Sequence, residues 1–137
     1  MVDLEALRHN ISSTLGRGKM VLDGHYAHEL TNPDTTRLVF VLRRAPWVLL
    51  EELRGRGYNE NKVWENVDAE ILASCLSEAL ERFPSDKVCE LDTTGASPSE
   101  TLTTGLASLE RGSCSDVYTD WMNREETVSI LRERPCI

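Results

Sequence analysis

Residues Val39 to Ile71 read VFVLRRAPWVLLEELRGRGYNENKVWENVDAEI, and their pattern decides the fold class. Leu38-Val39-Phe40-Val41-Leu42 is apolar without alternation, the signature of a strand covered on both faces beneath helices. Pro46 suits the first turn of a helix reaching to about Gly55, because its missing N–H is not needed there. Asn59 is placed to cap a second, longer helix. Its apolar stripe of Val63, Val67, Ile71, Cys75, Leu76, Ala79 and Leu80 carries it to about Arg82. Between the two helices lies Arg56-Gly57-Tyr58, a cation beside a glycine that permits a bend. The stretch therefore reads as a cationic hinge between rigid helices, a layout suited to closing over phosphates.

Upstream, Val2, Leu4, Leu7, Ile11 and Leu15 recur at near-helical spacing, and Gly16-Arg17-Gly18 ends that helix. Met20-Val21-Leu22 predicts a buried strand ending in Asp23-Gly24-His25. Tyr26 to Leu30 reads as a helical turn, and Thr31-Asn32-Pro33-Asp34 as a loop. Downstream, Phe83-Pro84 closes the long helix, and Lys87 to Leu91 predicts a third strand ending in Asp92-Thr93-Thr94-Gly95. Ser97-Pro98-Ser99-Glu100 spells a capping box that opens a helix stopping at Gly112. A last helix is expected around Trp121 to Arg132. Strands alternating with helices imply an α/β sandwich with a mostly parallel sheet, in one domain over residues 1–137. Ligands of such sheets bind beyond the carboxyl ends of the strands, an edge that would carry Asp23, His25, Arg43 and Thr93.

The chain has 137 residues, 40% hydrophobic and 28% charged, as in ordinary globular proteins. Its net charge of −8 argues against a dedicated nucleic-acid binder, which needs a basic surface to neutralise phosphates. No run of residues is long and apolar enough for a membrane span, and no signal-peptide pattern opens the sequence, so a cytoplasmic location and no membrane partner are expected. Cys75, Cys89, Cys114 and Cys136 are widely spaced with no C-x-x-C pair. Free or buried thiols in a reducing compartment account for them better than a disulfide framework or a zinc site.

Several residue types point to chemistry. Asp23 at a strand end can hold the water shell of a Mg²⁺ bound to nucleotide phosphates, or it can be a turn or capping residue. His25 and His28 have no third ligand arranged near them in sequence, so zinc is not expected and an orienting or catalytic role suits His25 better. Arg43 leaves a strand where its planar fork can grip phosphate oxygens. Arg37, Arg43, Arg44, Arg54 and Arg56 are clustered, either as solvated helix faces or as a local anion pocket. Arg56 can close over a phosphate or satisfy the carboxyl end of its own helix. Trp47, Trp64 and Trp121 read as packing residues.

The run R-G-Y-N-E-x-K-x-x-E-N-V-x-A-E-I, from Arg56 to Ile71, resembles the lid of the adenylate kinase isoenzyme 6 family. The Asp23-x-His25 pair resembles that family's Walker-B-like motif, and the strand ending at Arg43 matches in place and spacing. The Asp92-Thr93-Thr94-Gly95 loop, followed by Ser-Pro and a helix, resembles its loop near the adenine, and Val117 to Trp121 resembles its tryptophan-containing tail. The resemblance implies a P-loop nucleoside-monophosphate-kinase fold with a lid at about residues 55–65. It implies Mg²⁺ with ATP as cofactor and AMP or another monophosphate as second substrate. It also implies ATPase activity in maturation of the small ribosomal subunit, with a small-subunit ribosomal protein as partner. Asp23 would place Mg²⁺ through water, His25 would support transfer, and Arg56, Arg43, Thr94 and Gly95 would contact nucleotide.

One motif of that family is missing from these residues. Its members open with a strand and G-x-x-x-x-G-K-[ST], whose N–H groups and lysine cradle phosphates, whereas Gly16-Arg17-Gly18-Lys19 lacks the spacing and precedes no predicted helix start. In the family's sheet the missing first strand lies between those expected at Met20–Leu22 and Leu38–Leu42. Either that strand's residues are supplied from elsewhere, or its two neighbours pair directly, or the chain is a truncated form of a longer protein, and exposed edges would favour a homodimer. The chain alone is therefore expected to be catalytically incomplete. The alternative is a shortened, non-catalytic paralogue serving as a ribosome-assembly or protein-binding module, and a remnant without function is the third possibility.

Overall fold

The computed structural model describes residues 2–15, 18–115 and 117–136. Its α-helices and strands are α1 (Leu4–Leu15), α2 (Ala27–Leu30), β1 (Val39–Arg43), α3 (Pro46–Gly55), α4 (Glu60–Ile71), α5 (Ser74–Arg82), β2 (Val88–Asp92), α6 (Pro98–Arg111) and α7 (Glu125–Arg132), with a single 3-10 turn at Ser85–Lys87 among the described residues. β1 and β2 pair in parallel, with Val39 opposite Val88 and Arg43 opposite Asp92. The chain is thus α/β with a small parallel sheet.

Period-two geometry sorts the strand side chains. Val41 and Val88 meet Leu76, Ala79 and Phe83 on the α5 side, forming one core cluster. On the other side α6 approaches through Gly105, whose missing Cβ would stand 3.6 Å from Leu91 and 3.8 Å from Phe40. Burial on both faces holds only in part, because Leu42 is 62% exposed where α6 does not reach. A second cluster lies between α3 and α4: Leu50, Leu53, Val63, Trp64, Val67 and Ile71 close an antiparallel helical hairpin.

The caps form as the sequence predicts. Asn59 accepts from the Lys62 N–H at the start of α4, and Ser97 accepts from the Glu100 N–H at the start of α6. Gly112 ends α6 in the left-handed region at φ 73°. The long helix expected to run to Arg82 is instead two, broken where Ala73 adopts φ 52° between α4 and α5. No β-branched or glycine signal marks that break. It lets α5 turn its apolar stripe onto the sheet while α4 keeps its own against α3.

Two further expectations are corrected. Met20–Leu22 is not a strand: the segment has no regular structure, and Val21 is 97% exposed. Among the described residues its apolar run has no neighbouring strand with which to share hydrogen bonds, and an isolated strand is not stable in water. Cys89 and Cys114, expected as thiols, are joined in a disulfide with their Cα atoms 5.0 Å apart. Sequence separation hid this, because β2 and the return of the chain after α6 bring the two side chains together. Cys75 and Cys136 are free.

Candidate functional site at the carboxyl ends of the strands

Where β1 and β2 end, two loops are tied into one edge. The Thr93 N–H and hydroxyl both donate to the Arg43 carbonyl at 2.8 Å. The Ala45 N–H donates to the Thr94 hydroxyl at 2.7 Å, and the Thr94 N–H donates to Asp92 Oδ1 at 2.9 Å. Gly95 takes φ 70°, a left-handed turn that lets the loop swing into the start of α6. The threonines are thus spent in shaping the loop, which fixes where its backbone and Gly95 stand.

The two adjacent arginines part company at this edge because successive strand residues face opposite ways. Arg44 donates to the Thr93 carbonyl at 2.6 Å and to both carboxylate oxygens of Glu52 on α3. The hydrogen-bonded Arg44 guanidinium holds the Glu52 carboxyl below the usual carboxylate range, and Glu52 raises Arg44 in return. Arg43 turns inward on the Val39–Val41 side and is 1% exposed. Its Nε donates to Glu70 Oε1 at 2.7 Å, its Nη1 to Glu90 Oε2 at 2.8 Å, and its Nη2 to the Glu70 carbonyl at 3.1 Å. Each guanidinium nitrogen therefore has a protein acceptor, and the side chain is a buried tie between β1, α4 and β2.

Arg43, Arg44, Thr93, Thr94 and Gly95 share this edge, whereas Arg56, Asp23 and His25 have no hydrogen bond or ion pair to it among the described residues. Arg56 is exposed and forms the carboxyl cap of α3, its N–H donating to the Glu52 carbonyl at 3.1 Å. α3 has ten residues, so at ~1.5 Å per residue Arg56 lies about 15 Å along the helix from the strand end. Gly57 follows at φ 80°. Asp23 and His25 are exposed on the bend before α2, and neither side chain has a hydrogen-bond or ion-pair partner among the described residues. No group of three or more His, Cys, Asp or Glu side chains converges on a metal position among the described residues. A free carboxylate such as Asp23 fits a Mg²⁺ that keeps its waters and takes its remaining ligands from phosphates.

Sequence reasoning missed Glu70, Glu90 and Glu52, and it singled out Arg44 only as a member of the arginine cluster. Arg43 carried a usable signal, since it sits two residues beyond Val41 on the inner face and an arginine there demands acceptors. The two glutamates that answer it come from α4 and β2, 27 and 47 residues away, and carried none.

Comparison with known proteins places this edge in context. A family profile described as an AAA domain matches residues 2–73. A protein named "Putative adenylate kinase" from Thermococcus gammatolerans is 38% identical over 133 residues, covering 96% of this chain and 72% of that protein. Proteins of the same name from Thermococcus onnurineus and Pyrococcus furiosus are 34% and 35% identical, over 93% and 96% of this chain and 68% and 71% of theirs.

The chain belongs to this adenylate kinase family. Within a P-loop kinase-like family, the edge beyond the parallel strands is where nucleotide is to be sought. Among the described residues, no helix is long and apolar enough to cross a membrane.

Proposed function

We propose that this adenylate-kinase-family chain is a nucleoside-monophosphate-kinase-like protein that takes ATP and AMP at the carboxyl edge of its strands. The observation that carries the reading is the junction of the 43–45 and 93–95 loops, rigidly tied at the strand ends in a chain of kinase kinship. There the Gly95 turn would lie along the adenine, with Thr94 holding the loop through Ala45. Arg43 would act as a positioning residue, since its nitrogens are engaged by Glu70 and Glu90. Arg56 supplies a solvated cation at a glycine bend, which closure of a lid over residues 55–65 would bring to phosphate oxygens. Mg²⁺ arriving with ATP neutralises phosphate charge, and Asp23 would contact its water shell while His25 orients the reacting group. ATP supply fits a cytoplasmic setting.

The 137 residues carry no G-x-x-x-x-G-K-[ST] motif, the strongest phosphate cradle in such kinases. Binding without appreciable transfer is therefore the expected behaviour of the chain by itself. Titration calorimetry with Mg-ATP should show binding that Arg56→Ala weakens about tenfold, the loss of one charge-assisted phosphate contact. Undiminished binding by that variant removes the lid assignment. Incubation with Mg-ATP and AMP should leave ADP at background, and robust ADP formation sinks the inactivity.

A second reading is a non-catalytic module in small-subunit ribosome maturation that meets a ribosomal protein or pairs with its own copy. Sedimentation of the chain with purified small subunits, and its mass in solution, test it. No co-sedimentation and a monomeric mass would leave nothing to support it.

A further inference from the structure

We propose that residues 117–134 form a strap that clamps the α3–α4 hairpin onto the sheet and governs how readily the hairpin opens. The strap is anchored at its start, where the Thr119 N–H donates to Glu90 Oε1 at 2.8 Å. It then reaches both hairpin helices at their base. The Trp121 indole N–H donates to Glu70 Oε1 of α4 at 2.9 Å, and its ring meets Trp47 of α3 edge-on with centroids 5.4 Å apart. Arg124 lies 5.3 Å over the Trp47 ring and adds a cation–π contact to the same joint. Further along, Ile130 packs against the hairpin's apolar core. Arg134 closes the clamp, with its Cζ 4.7 Å from the Trp64 ring centroid and its Nη1 3.1 Å from Asp68.

These contacts end at Trp64, which is five residues beyond Asn59 and so about 7 Å along α4. The turn carrying Arg56 and Gly57 lies past the strap. The hairpin is held at base and middle and free at the tip.

The strap is itself weakly built. α7 has eight residues and no side-chain cap, while Val128 and Leu131 are each 40% exposed. A helix this short does not persist without its tertiary contacts, so the strap belongs to the low-stability end of the molecule. Releasing it uncovers Trp47 and Trp64 together, which couples the two helices and makes opening a single step. Its bearing on nucleotide closure rests on the lid reading given above; its existence does not.

Hydrogen exchange of the full chain tests it. Arg134→Ala and Ile130→Ala, singly and together, should speed exchange in α3 and α4 by roughly three- to tenfold. Peptides from α6 and β2 should keep their rates. Unchanged exchange in α3 and α4 overturns the strap, and so does an equal rise in all peptides, which reports global destabilisation. Arg134→Lys retains charge at Asp68 and should recover part of the protection. Adding Mg-ATP separates the two readings: no protection of residues 56–60 removes the lid but leaves the exchange result on the strap standing.

Discussion

At Arg43 a cation is 1% exposed and answered by two carboxylates, so its removal takes the charge partner from both and leaves Glu70 with the Trp121 and Arg44 N–H donors and Glu90 with Thr119. Breaking a buried pair from one side costs ~3–5 kcal/mol. Arg43→Ala should therefore lower the urea midpoint sharply, and a shift equivalent to under about 1 kcal/mol would show that the tie holds little. Arg44 and Glu52 behave differently because both are partly exposed. The Glu52 carboxyl is depressed by the Arg44 hydrogen bond, and the Glu60 carboxyl by that of Arg54. A depressed carboxylate contributes stability that is fully present above its unfolded pKa, near ~4.3, and is lost as pH falls through the lower folded value. Melting temperature should accordingly fall below about pH 4.3, and Glu52→Gln should flatten part of that slope. An unaltered slope in the variant would detach Glu52 from the effect.

At the scale of elements, the caps and the helix break make opposite demands on a residue. Ser97 accepts the Glu100 N–H at 3.1 Å, and Ser97→Ala should cost ~1 kcal/mol by chemical denaturation. Ala73 stands at φ 52°, where a Cβ is unfavourable by ~1–2 kcal/mol. Ala73→Gly should be neutral or raise stability by up to about 1 kcal/mol. A loss of ~1 kcal/mol would instead indicate a continuous helix through this position. The capping signals were legible because they are local, written in residues three apart. The break was not, because Leu72-Ala73-Ser74 carries no stop signal and the turn is imposed by the different surfaces that α4 and α5 cover. The expected strand at Met20–Leu22 failed for the converse reason: its apolar run is local, but a strand exists only with a hydrogen-bonded neighbour.

At the scale of the molecule, two small cores are joined by a buried charged tie, and one covalent link pins the segment after α6 to β2. The Cys89–Cys114 disulfide closes a span of 25 residues around α6. Restricting the unfolded chain over that span stabilises by ~3–4 kcal/mol in the loop-entropy description. Reduction by a dithiol should lower the urea midpoint by a matching amount, and a midpoint indifferent to reduction would show that the link adds nothing. Their distance along the chain hid this pairing, since the thiols meet only after β2, α6 and the following turn have folded back.

The sequence by itself determined the α/β class, the two principal parallel strands, the Pro46-led and Asn59-capped helices on either side of Arg56-Gly57, and the adenylate kinase kinship, because each is carried by short-range pattern or contiguous motif. Only the tertiary structure decided that Arg43 faces inward to Glu70 and Glu90, that Arg44 ties Thr93 to α3, and that the tail lies on the hairpin. The physical reason is the partner. A cap or an apolar stripe is completed by its own neighbours, whereas a charge on a strand takes its role from whichever distant carboxylate folding brings within hydrogen-bond reach.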